Sequence, residues 1–293
     1  MAINLCYNNI TKSDKSISGR QKMKILISND DGITALGIKA LMTTLSKEHE
    51  VYVVSPDRER SAAGHSLTLH TPIRVEELES KFGAKRVWVT SGTPGDCIKL
   101  GIIELLGENE KPDLVISGIN HGPNLGTDIL YSGTVSCAME GAMLNCPSIA
   151  VSLASMSCDP MYFDVTADFV LKFLPKIEKI KFPEKTILNI NTPALEEMDI
   201  AGVEITKLGS KMFTDEYEKR IDPRGKVYYW MAGELTTKHE EDGTDISAVR
   251  ANRISITPIT FEMTHKSIMA ELEREFCKDG ICDWYGYGAN QKD

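Results

Sequence analysis

The sequence predicts an α/β protein: a Rossmann-like, doubly wound, mostly parallel sheet followed by a C-terminal β-rich arm. Three observations predict it. From Met23 to about Asn191, short β-branched and aliphatic runs alternate with segments of helical period, as in βαβ units whose sheet is covered on both faces. Most of these runs end in a cluster of Ser, Gly, Asn, Asp or Pro. After Asn191-Thr192-Pro193 the alternation gives way to isolated strand patterns and a long polar span. The chain divides accordingly into residues 1–22, a polar extension; 23–195, the Rossmann-like domain; and 196–293, an arm with a closing strand and helix.

The elements follow in order. Ile25–Ser28 reads as the first strand, and Ile38, Leu41, Met42 and Leu45 share the face of a following helix. Val51–Val54 is the second strand and Val87–Thr90 the third. Thr93-Pro94 opens a helix through Ile98, Ile102 and Leu105, with proline at a permitted first-turn position. Leu114–Ser117, Ile149–Leu153 and Ile187–Asn191 complete six strands, with helices over Thr134–Leu144 and Phe163–Lys176. In the arm, Val203–Leu208, Val227–Trp230 and Arg253–Thr257 read as strands and Lys266–Phe276 as a helix. Asp222-Pro223-Arg224-Gly225 is a turn signature.

Composition excludes several classes. A net charge of −9 over 293 residues argues against general affinity for nucleic acid or anionic membranes. No apolar run approaches a membrane span, and Met1–Lys22 lacks the apolar stretch of a secretory signal. Seven scattered cysteines, with Cys277 and Cys282 lacking a second metal-binding pair, fit a reduced, cytoplasmic protein.

Chemistry is expected where Lys24–Ser28 runs into Asn29-Asp30-Asp31-Gly32, because ligands of open α/β sheets bind beyond the carboxyl ends of the strands. Adjacent carboxylates repel unless a cation or shared proton offsets them, and oxygen ligands suit Mg²⁺, Mn²⁺ or Ca²⁺. The alternative is a solvated turn, since these residues all favour turns. Further polar clusters follow the later strands: Asp57–Ser66, Ser91–Asp96 and Ser117–Asp128, the last leading to Tyr131-Ser132-Gly133-Thr134-Val135. In a parallel sheet these loops share one edge, so Asp30, Asp31, Ser61 and Asn120 can converge on one hard cation per subunit. Ser132-Gly133-Thr134 offers N–H groups for an oxyanion at a helix start.

These blocks, with Ser55-Pro56-Asp57 to Leu67-Thr68, Ser91-Gly92-Thr93-Pro94, Ser117-Gly118-Ile119-Asn120 and Ile254-Ser255-Ile256-Thr257-Pro258, resemble the SurE (survival protein E) nucleotidases over about Met23 to Glu271. The resemblance implies a metal-dependent phosphatase of nucleoside 5′- and often 3′-monophosphates. It implies Asp30, Asp31, Ser61 and Asn120 as metal ligands, and dimers or tetramers whose C-terminal arms exchange. In that chemistry Asp30 or Asp31 orients the attacking water or accepts its proton. Asn29, Asn120 and the N–H groups of Ser132, Gly133 and Thr134 would stabilise the phosphoryl oxygens.

Rival readings are an aspartyl-phosphate phosphatase and a non-enzymatic Mg²⁺-binding phospho-acceptor module. The first usually wants D-x-D spacing, and the second lacks an acceptor Asp after the third strand, which ends in Thr90-Ser91-Gly92. Asp57 imitates a ribose-binding acid, but Asn-Asp-Asp-Gly replaces the glycine fingerprint such a fold requires. His65 and His70 read as loop histidines, and His121 as bonded within its loop or reaching substrate. No nucleophile-elbow sequence is present.

Overall fold

Strand β1 (Lys24–Ser28) shows why both faces of the sheet need a helical cover. Successive side chains of a strand point to opposite faces. Ile25 and Ile27 are buried with Ile38 and Leu41 of α1 (Leu36–Leu45) and with Phe163 and Val170 of α4 (Pro160–Ile177). Leu26 is buried instead with Ile98 of α2 (Pro94–Leu100) and Cys137 of α3 (Gly133–Met143). Burying each such Leu or Ile contributes about 1.5–3 kcal/mol. Strand β2 (Glu50–Pro56) repeats the alternation, Val51 and Val53 on the first face and Tyr52 and Val54 on the second.

The computed structural model describes residues 22–107, 110–156, 159–210, 214, 216–233 and 240–278. The expected N-terminal extension apart from Lys22, together with Met212, Phe213 and Cys282, lies outside the described residues. The remaining strands of the main sheet are β3 (Val75–Leu78), β4 (Arg86–Thr90), β5 (Leu114–His121), β6 (Ser148–Leu153), β7 (Thr186–Thr192), β8 (Val203–Ile205) and β11 (Ile254–Thr260). They lie in the order β3-β4-β2-β1-β5-β6-β7-β11-β8, with β9 (Tyr217–Ile221) and β10 (Val227–Met231) forming a separate antiparallel pair. From β4 through β7 all neighbours are parallel, whereas β3 and β11 run antiparallel to β4 and β7.

The crossovers from β1 to β2, β4 to β5 and β5 to β6 share one hand. The β6-to-β7 connection moves away from β1 on the opposite side from β2, yet its helix α4 packs on α1 and so lies on the same face. It therefore has the opposite hand from the other three, the rare left-handed form. This leaves α2 and α3 together over the face that carries Leu26.

The structure adds elements that apolar periodicity did not mark. β3 exposes Val75, Glu76 and Glu77, so it has no apolar alternation to read. The strand expected over Val203–Leu208 stops at Ile205, after which Thr206 hydrogen-bonds Thr257 through their hydroxyls (2.7 Å). Helix α5 (Asp245–Arg250) starts from a capping box, Thr244 with Ser247. Residues 261–278 belong to a second compact unit. In it α6 (Lys266–Lys278) carries Ile268, Met269, Leu272 and Phe276 along one side, as the helical spacing predicts.

Candidate active site

The chain leaves β1 toward β2 on one side and meets β5 on the other, so the carboxyl end of β1 is the topological switch point. The strand's alternation continues into the next residues. Asp30 follows Leu26 and Ser28 toward the α2/α3 face, where its carboxylate accepts a hydrogen bond from the Thr134 hydroxyl in the first turn of α3. Asp31 follows Ile25 and Ile27 to the other side and accepts from the backbone N–H of His121, at the end of β5, at 3.0 Å. The His121 ring lies tilted against Phe163 of α4, 6.2 Å between centroids. Two consecutive carboxylates thus address two different elements.

Their electrostatics are costly. Asp30 is 4% exposed. Burial pushes its carboxyl up to about 6 and the neighbouring Asp31 adds to the rise, while the Thr134 hydroxyl opposes it. Asp31 is also raised, first by burial, with the His121 N–H opposing. The hydrogen bonds that reach the two carboxylates come from the Thr134 hydroxyl and from backbone N–H groups of Asp30, Thr134 and His121, with no lysine or arginine among them. An acidic pair with Asp30 buried and Asp31 half-buried, eased by His121 beside Asp31 but by no lysine or arginine hydrogen bond, fits a hard divalent cation.

The first turn of α3 is built against this pair. Ser132 caps the helix by accepting from the Val135 N–H at 3.0 Å. Gly133 follows, where an added Cβ would lie 2.7 Å from both Cβ and Oδ2 of Asp30, so only glycine lets the helix come this close. The N–H groups at this terminus suit an anionic oxygen.

Asn120 reaches the same edge through a bulge. β5 has two residues between Ser117 and Asn120 while β6 has one between Ala150 and Ser152. Gly118, at φ +132°, passes so close to the Val151 carbonyl that a side chain would collide with it. Such a bulge re-aims the residues beyond it. Asn120 is half-buried and donates through Nδ2 to the Gly122 carbonyl at 2.9 Å.

The other expected residues are placed differently. Asn29 is fully buried, with its Oδ1 accepting from Ser55 (2.7 Å) and its Nδ2 donating to the Gly32 carbonyl (2.9 Å), so its amide shapes the Asp30-Asp31 turn. Ser61 is exposed and its hydroxyl donates to Glu59 at 2.6 Å. Its loop nonetheless meets the acidic pair, because the neighbouring Arg60 N–H donates to the Asp30 carbonyl at 2.7 Å. Asp57 pairs with Arg60 within that loop at 3.3 Å. His65 does not stand alone: its Nε2 lies 2.9 Å from Glu140 of α3, which also pairs with Lys99 at 2.7 Å. One signal of this pairing was present in the sequence, a lone acidic residue within the small, apolar run of α3. Cys97, Cys137 and Cys146 are buried free thiols, and burial pushes Cys137 and Cys146 up to about 12, which leaves them inert.

Comparison with known proteins bears on the same region. The family model described as Survival protein SurE matches residues 25–215. The chain is 51% identical over 249 residues to the 5′-nucleotidase SurE of Thermosynechococcus vestitus, covering 83% of this chain and 92% of that protein. It is 46% identical over 268 residues to the 5′-nucleotidase SurE of Heliobacterium modesticaldum, covering 92% of this chain and 94% of that one. The crystal structure of the SurE protein from Aquifex aeolicus superposes with a TM-score of 0.75 at 41% identity, covering 86% of this chain and 98% of that one.

Proposed function

The chain belongs to the survival protein SurE family, and from that premise we propose that it is a 5′-nucleotidase, a divalent-cation-dependent phosphomonoesterase acting on nucleoside 5′-monophosphates and on some 3′-monophosphates. The observation that carries this reading is the Asp30–Asp31 pair at the switch point, with Asp30 buried against the first turn of α3 and Asp31 half-buried beside it. A pair of carboxylates supplies the charge for a cation, and the helix terminus beside it supplies donors for a phosphoryl group.

Asp30, Asp31, Ser61 and Asn120 would hold Mg²⁺, Mn²⁺ or Ca²⁺, with Ser61 turning from Glu59 to do so. Such an ion supplies Lewis-acid polarisation of a phosphoryl oxygen and a bound water of lowered pKa. The protein's own part is to orient and to move a proton. Asp31, more open than Asp30, accepts the proton of the attacking water. The N–H groups of Gly133 and Thr134 and the Asn120 amide stabilise charge gathering on the equatorial oxygens. Asn29 keeps the two carboxylates in register through Ser55 and Gly32.

The experiment is phosphate release from a panel of nucleoside 5′- and 3′-monophosphates, with Mg²⁺, Mn²⁺ and Ca²⁺ varied. Release that needs a cation and favours 5′-esters is expected; no release from any nucleotide with any of the three ions overturns the reading. Ser61→Ala and Asn120→Ala should raise the metal concentration needed for half-maximal rate more than they lower thermal stability, because each removes one neutral oxygen ligand. Unchanged metal dependence in both variants would separate these loops from the ion. Gly133→Ala forces a methyl into Asp30, so kcat/KM should fall by about 10² with about 1–3 kcal/mol of stability lost. Wild-type kinetics in that variant would mean the close approach of α3 has no part in turnover.

No helix among the described residues is long and apolar enough to cross a membrane. A reduced cytoplasmic setting is proposed on the buried free thiols.

A further inference from the structure

The loop that carries Ser61 is fastened to the protein on both sides of it. Before Ser61, the Arg60 N–H donates to the Asp30 carbonyl at 2.7 Å, and the Arg60 guanidinium donates to the Ser91 carbonyl at 2.8 Å. After it, Gly64 N–H donates to the Tyr131 carbonyl at 3.1 Å, and the Ser66 carbonyl accepts from the Thr93 hydroxyl at 2.7 Å. Between these stands the His65 side chain, 2.9 Å from Glu140. Glu140 is 2% exposed and is held low by His65 and Lys99. An ionised carboxylate only accepts, so the bond runs from the Nε2–H of His65.

Glu140 sits two turns along α3 from Gly133 and Thr134, which press on Asp30. A single rigid helix therefore holds Asp30 with its first turn and, through Glu140, the loop of Ser61. We propose that His65 is a positioning residue: its bond to Glu140 sets the Ser61 loop against the Asp30–Asp31 pair and so fixes the geometry of cation binding. This rests on the reading of Ser61 as a cation ligand.

A merely structural ion pair predicts something else. Lys99 shares the buried Glu140 carboxylate from α2, whose ties to the Ser61 loop run through Thr93 and Asp96 rather than through Lys99. Removing either partner should cost stability, but only His65 should change the metal site.

The test is calorimetric titration of the purified protein with Mn²⁺, alongside thermal melts without metal. His65→Ala should weaken Mn²⁺ binding by about tenfold. His65→Gln, whose side-chain amide can place a donor near the Nε2 position, should restore most of that affinity. Lys99→Met should lower the melting temperature while binding Mn²⁺ like the wild type. Ser61→Ala separates the two claims. If Ser61→Ala weakens binding and His65→Ala does not, the positioning role is overturned and the ligand role stands. If Ser61→Ala binds as the wild type, the ligand reading fails and takes the positioning role with it. If Lys99→Met weakens Mn²⁺ as much as His65→Ala does, the effect is general loosening around Glu140, and the proposal is again overturned.

Discussion

Asp31→Asn lowers turnover by about 10² or more while the protein remains folded, because it removes a charge from the hard-cation site and preserves shape. Asp30→Asn has a second consequence of opposite sign. The folded-state pKa of Asp30, about 6, lies above its ordinary 3.8, so the folded protein binds this proton more tightly than the unfolded chain. The stability penalty is absent below the ordinary value, grows as pH rises through the interval, and stays at up to about 3 kcal/mol above it. Asparagine carries no such charge, so metal-free Asp30→Asn should melt above the metal-free wild type at pH 7.5 and match it more closely near pH 4. Added Mn²⁺ should raise the wild-type melting temperature and leave that of Asp30→Asn/Asp31→Asn unmoved. Near-normal phosphate release from the metal-saturated double variant would sink the proposed site. A borohydride-trapped acyl phosphate on either Asp would replace the water mechanism with an aspartyl-phosphate one.

Much of this was legible in the sequence, for a physical reason. Ile25–Ser28, Val51–Val54 and Leu114–Ser117 are buried on both faces, so their apolar runs had to be continuous. A strand's strict alternation also carries past its end, which is why Asp30 and Asp31 separate toward α3 and the end of β5. What stayed hidden depends on distant partners. Thr134 and Asp30 are 104 residues apart, and His65 and Glu140 are 75, so nothing local announces either bond. The bonds of the Asn29 amide to Gly32 and Ser55 were likewise unannounced, the usual chemistry of a side chain that can bond its own backbone. β9 was equally hidden, since Glu218-Lys219-Arg220 puts three consecutive charges in its middle and Tyr217–Ile221 is exposed throughout.

That strand and β10 give the second large effect: removing the hairpin should convert an oligomer to a monomer. In the β9–β10 register Val227 faces Ile221, Tyr229 faces Lys219 and Met231 faces Tyr217. These pairs put Tyr217, Ile221, Val227, Tyr229 and Met231 on one face around a central Lys219, and Ile221, Tyr229 and Met231 are 65%, 59% and 70% exposed. A two-stranded hairpin is marginal in water by itself, and an apolar face on one invites a partner. The opposite face mixes Tyr228 and Trp230 with the Glu218–Arg220 ion pair at 2.8 Å, the composition of a polar rim around aromatic contacts. We propose a second copy of this chain as the partner, in a homodimer or homotetramer joined through the arm. A stable pairing needs roughly 800 Å² per partner, which an exchanged pair of hairpins can approach. Light scattering at micromolar concentration should give a dimer or tetramer for the full chain. It should give a monomer when residues 217–231 are replaced by a short Gly-Ser linker, and a weakened oligomer for Ile221→Glu/Tyr229→Glu. A monodisperse monomer of the full chain, or an oligomer indifferent to both changes, rejects the hairpin as the contact.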